Sequence, residues 1–127
     1  MKYMAMTRKD VIEYIKKVFN VDPDHPFRNE YAETEVFRHR DTAKWFALCM
    51  QVRADRLGHE REEWVDVVTM KSEPVLIDNL ISKKGFYRAY HMNKKQWLTV
   101  ELNEDTPAEE VKNLLEMSFE LTDKKKK

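Results

Sequence analysis

Glycine is nearly absent: the 127-residue chain has two, Gly58 and Gly85. Phosphate-cradling loops of the P-loop or dinucleotide type need several glycines in a short stretch, so nucleotide binding of those kinds is excluded. Cysteine is scarcer still. Cys49 stands alone, which excludes an intrachain disulfide. It sits in the apolar run Trp45-Phe46-Ala47-Leu48-Cys49-Met50, where a buried, inert thiol is expected and a nucleophile is not. Long apolar stretches are missing too. The opening residues, Met1-Lys2-Tyr3-Met4-Ala5-Met6, hold no apolar leader segment. No stretch nears the roughly 20 residues of a membrane span. The expectation is a cytoplasmic protein with no membrane partner. Net charge is zero, from 23 basic and 23 acidic residues, so the basic balance typical of strong nucleic-acid binders is lacking.

One absence is local. No acid occurs between Asp78 and Glu101, while Lys83, Lys84, Arg88, Lys94 and Lys95 all fall there. The next decade reverses sign, with Glu101, Glu104, Asp105, Glu109 and Glu110 and no Lys or Arg. Averaging to neutral hides a polar molecule.

What is present suits one domain over residues 1–127, with an ordered core over about 7–122 and a basic tail at 123–127. Three tryptophans, five tyrosines and six phenylalanines supply large pieces of core. The charged fraction, 36%, then reads as surface.

Thr7 and Asp10 have capping-box spacing, and Val11, Ile12, Ile15, Val18 and Phe19 follow on one helical face. Two prolines between Asn20 and Phe27 end that helix. Strands are expected over Glu35–His39, Lys44–Val52 and Trp64–Met70, separated by the turn Arg40–Ala43 and a charged loop, Arg53–Glu63. A second helix is expected to start at an Ser72 cap with Pro74 in its first turn. Lys83 and Lys84 suit its C-terminal dipole, and Gly85 its end. Phe86–His91 and Gln96–Leu102 read as a hairpin around Met92–Lys95, with Asn93 in the turn. Thr106 as cap, Pro107 at the first helical position and Glu109 open the last helix. The order is α-β-β-β-α-β-β-α. This is an α+β chain with a mostly antiparallel sheet of about five strands and helices on one face.

The stretch Gly85 to Trp97, Gly-Phe-Tyr-Arg-Ala-Tyr-His-Met-Asn-Lys-Lys-Gln-Trp, resembles the signature of the MmcQ/YjbR family. In the same order, His25-Pro26-Phe27 resembles the family's entry to the sheet and Lys44-Trp45-Phe46-Ala47 its Gly-Lys-Met-Phe-Ala strand. Lys71-Ser72-Glu73-Pro74 matches its Lys-x-Asp-Pro helix start, and Ser118-Phe119 its late Ser-Tyr. The departures are Arg28 and Ala43 where the family has glycine, and Arg88 where Pro is common. The first two suggest turns that differ from the family pattern. The resemblance implies a frataxin/CyaY-like fold and DNA binding through a double-wing motif.

Three kinds of chemistry bear on these residues. The leading reading is non-enzymatic DNA binding through a basic aromatic hairpin, where cations neutralise phosphates and rings stack on bases. The alternative is a small anionic ligand, or an unassigned enzymatic pocket, around His91. Both readings draw on Lys44, Lys71, Arg88, Tyr90, His91, Asn93, Lys94, Lys95 and Trp97. No nucleophile–base pair stands out, so no catalytic residue is named. The histidines His25, His39, His59 and His91 show no ligand spacing, and no metal or other cofactor is expected. Neither the ligand nor the oligomeric state can be read from the chain.

Overall fold

The computed structural model describes residues 6–28, 32–89 and 92–123. Three helices flank a five-stranded antiparallel sheet, an α+β architecture in the expected order: α1 (Arg8–Phe19), β1 (Glu35–Arg38), β2 (Trp45–Arg53), β3 (Trp64–Lys71), α2 (Pro74–Leu80), β4 (Phe86–Arg88), β5 (Trp97–Glu101) and α3 (Ala108–Thr122). The sheet runs β1-β2-β3-β5-β4. α2 carries the chain past the place that β5 fills, so β4 lies at an edge and β5 returns between it and β3. Within the charged loop, Ala54–Leu57 forms a short 3-10 helix that ends at Gly58, where φ is +95°. No helix among the described residues is long and apolar enough to cross a membrane.

α1 starts as its sequence dictates. The Asp10 amide donates to Thr7 Oγ1 (3.2 Å), and the Thr7 amide donates to Asp10 Oδ2 (3.1 Å). Val11 and Ile15 are buried, whereas Val18 lies at the margin of the stripe and is exposed. All three helices send apolar residues to one sheet face, where Phe37, Phe46, Ala47, Cys49, Val68, Met70, Leu98 and Val100 meet Ile15, Ile77, Leu80, Val111 and Leu115. A smaller cluster of Met50, Val52 and Val67, with Leu57 and Val65 against it, forms separately.

The near-unbroken apolar run of β2 has a geometric cause. Phe37 is paired with Ala47 and Arg38 with Trp45, so Phe46 is an extra residue in a bulge. Phe46 and Ala47 therefore both enter the helix-side core. The bulge also interrupts the ladder to β3, whose pairing begins at Ala47 and Met70. Ser118 of α3 repairs the gap. Its hydroxyl donates to the Phe46 carbonyl (2.6 Å) and accepts from the Lys71 amide (2.9 Å).

Two expected helix caps are displaced. Ser72 does not cap α2: Glu73 holds that position without a side-chain bond. The Ser72 amide instead donates to Gln96 O (2.9 Å), which ties β3 to the hairpin, and among the described residues its buried hydroxyl has no hydrogen-bond partner. α2 also stops at Leu80, before Lys83 and Lys84, so neither lysine serves its dipole. Thr106 does not cap α3. Its hydroxyl donates to Glu101 O and accepts from the Asn103 amide (2.7 Å each), a tight turn that moves the cap to Pro107. Ala43 corrects a third expectation. It has φ of +65°, so the turn keeps the left-handed backbone that suits glycine although alanine occupies it.

Candidate functional site

Most of the cationic candidates come from separate segments but reach one end of the sheet. β3 ends at Lys71, whose register partner is Trp97, the first residue of β5. Arg88 ends β4 opposite Leu98. Lys44 belongs to the turn between β1 and β2, closed by the His39 amide donating to Lys44 O (2.8 Å). Since Ala47 pairs with Met70, Lys44 lies at the same sheet end as Lys71. The turn between β4 and β5 projects there as well. Lys44, Asn93, Lys94 and Lys95 are exposed; Lys71 and Trp97 are half-buried. Tyr90 and His91 lie outside the described residues.

The turn is built by Asn93. Its carbonyl accepts from the Gln96 and Trp97 amides (3.1 and 2.9 Å), and its side-chain Oδ1 accepts from the Lys95 amide (2.9 Å). Asn93 thus shapes the tip and offers little of its amide for recognition.

Two of the five cations between Asp78 and Glu101 have internal partners. Arg88 Nη2 meets Asp78 Oδ1 at 3.0 Å. Lys83 Nζ lies 3.0 Å from both carboxylate oxygens of Glu110 and over the Phe86 ring. The basic and acidic stretches thus screen each other within one chain. Lys94 and Lys95 form no ion pair with a described acid.

A second polar constellation occupies the opposite end of the sheet, where a groove of about 800 Å³ runs past His59, Arg61, Tyr87 and Glu101. Glu101 is the last residue of β5, and only 8% of its side chain is exposed. Tyr87 Oη donates to Glu101 Oε1 (3.1 Å). His59 Nε2 lies 3.1 Å from that oxygen and 3.0 Å from Tyr87 Oη. Arg61 Nη2 stands 3.7 Å from the other oxygen. Burial, then the Glu101 charge, pushes the Tyr87 hydroxyl up to about 12. These contacts fix the 58–63 loop to the sheet, and the carboxylate is spent on internal donors. His59 and Glu101 are 42 residues apart, and no local spacing marks them as neighbours.

One further expectation concerns a reactive group. Cys49 is fully buried and its thiol is pushed well up by burial, which leaves it inert. On α1 and β1, Asp10 is held in its capping box and Glu35 by Arg8 at 2.9 Å.

Comparisons with known proteins agree with the motif. The family model named YjbR matches residues 17–121. The uncharacterized protein YyaQ of Bacillus subtilis is 32% identical over 92% of this chain and 98% of its own. A crystal structure of a Pseudomonas syringae protein has 43% identity and a TM-score of 0.87, covering 92% of this chain and 99% of that one. A Deinococcus radiodurans crystal structure, 24% identical over 98% of this chain and 84% of its own, shares the fold with a TM-score of 0.72.

Proposed function

Because the chain belongs to the YjbR family, and its curated relative YyaQ is named as uncharacterized, function has to be read from this surface, and we propose that the protein is a non-enzymatic nucleic-acid-binding domain. DNA is the ligand, and the basic end of the sheet is the contact. The observation that carries this reading is the convergence of Lys44, Lys71, Lys94 and Lys95, from three separate segments, on one sheet end. Exposed lysines gathered at one sheet end, Lys44, Lys94 and Lys95, suit the phosphates of a nucleic-acid backbone. The partly exposed Trp97 beside it offers a ring on which an unpaired base could stack. Neutral net charge makes the affinity low and strongly salt-dependent.

The experiment is gel retardation of a short duplex at low salt. Wild type retards it; a variant carrying Lys44→Ala, Lys94→Ala and Lys95→Ala does not. Equal mobility shifts by the two proteins defeat the proposal. Arg88 is left intact because Asp78 already holds it.

One observation favours a small anion instead. Among the described residues the buried Ser72 hydroxyl lacks a partner, and a compact anion drawn in by the neighbouring Lys71 would supply one. A thermal-shift response to inorganic phosphate that disappears in Lys71→Ala, with no duplex retarded by either protein, selects this second reading.

A further inference from the structure

The turn after β1 and the end of α3 bring together three ligand-type side chains that the sheet-end lysines do not use. One ligand atom from each of His39, Asp41 and Asp123 lies within 4.8 Å of the others. His39 is the fixed member: its side chain is 1% exposed and is clamped against the Phe46 and Phe119 rings. The two carboxylates are at the surface.

The imidazole is anchored through Nε2, which leaves Nδ1 on the side of the carboxylates. Nε2 lies 2.7 Å from Thr122 Oγ1, whose own proton is directed to Ser118 O at 2.8 Å. The ring also bonds the Phe119 carbonyl. That carbonyl also lies 3.3 Å from Thr122 Oγ1, while the Asp123 amide turns to Glu120 O. With Nε2 donating to Thr122 Oγ1, Nδ1 keeps its lone pair. It faces Asp123 Oδ1 at 3.4 Å, and a cation between the two would satisfy both.

We propose that His39 Nδ1, Asp41 and Asp123 form a surface site for a divalent transition-metal ion, with Zn²⁺ the best-matched of them. One imidazole and two carboxylates are a recognised zinc donor set that leaves a coordination position open. Thr122 and the Phe119 carbonyl act as the outer groups that hold the ligand tautomer.

Calorimetric titration of Zn²⁺ into chelator-stripped full-length protein tests the site. Wild type binds one equivalent with a rise in Tm, and the His39 ¹⁵Nδ1 resonance moves on binding. The Asp41→Asn, Asp123→Asn protein folds, since both positions are exposed, and loses that equivalent at least tenfold in affinity. It retains the other histidines, so unchanged binding by this variant overturns the proposal. So does a His39 ring that carries both protons at neutral pH and ignores Zn²⁺.

Discussion

The two ends of the sheet treat charge in opposite ways. At the end near the groove, His59, Arg61, Tyr87 and Glu101 partner one another in a closed network. At the other end, Asp78 holds Arg88, while Lys94 and Lys95 are exposed on a turn that Asn93 shapes with its own side chain. A cluster of titratable side chains around a groove therefore need not be where the ligand goes. Satisfied groups hold a loop in place; unsatisfied ones are left for a partner.

The largest expected effect breaks the basic end from beneath. Ser118→Ala removes the hydroxyl that joins Phe46 to Lys71 and strands a buried carbonyl and a buried amide. Urea unfolding should show a loss of about 2–4 kcal/mol. A loss under 1 kcal/mol would mean that the ladder closes without α3. Next comes the groove end. Glu101→Ala leaves Tyr87 and His59 without their acceptor, and about 1–3 kcal/mol should go. Spectrophotometric titration reads the same change: Tyr87, raised to about 12 in the wild type, should ionise nearer its ordinary 10. Its raised value also sets an alkaline limit. The stabilisation is complete below the ordinary tyrosine range and is lost as pH climbs through about 12, and Tyr87→Phe should flatten that part of the decline. The smallest effect is a gain. Ala43→Gly relieves a left-handed alanine and should raise stability by about 0.5–1 kcal/mol; a loss would show that the alanine methyl is packed and needed.

Much of the architecture was legible in the chain because it rests on short-range rules. Thr7 and Asp10 close their box, Asn93 makes its turn, and the period-two and helical stripes place every strand and helix. The caps of α2 and α3 were misread for one reason. Ser72 and Thr106 have good cap chemistry, but their neighbours in space, Gln96 and Glu101, claim their backbone and side-chain bonds first. The site was half legible. Its lysines could be named from charge runs, yet which of them stay unpaired depends on where α2 and α3 carry Asp78 and Glu110. The His59–Tyr87–Glu101 network and the His39–Asp41–Asp123 cluster join segments far apart in sequence, so no motif announces them.

The most direct test of the central claim compares both ends in one assay, the salt dependence of binding to a labelled DNA duplex followed by fluorescence anisotropy. Removing Lys44, Lys94 and Lys95 should make the log–log salt slope shallower by up to about 3, since each phosphate contact contributes close to one unit. Removing Arg61 and Lys84 at the groove end should leave the slope unchanged. Equal slopes for the wild type and the basic-end variant, or a larger change from the groove-end pair, would contradict the account.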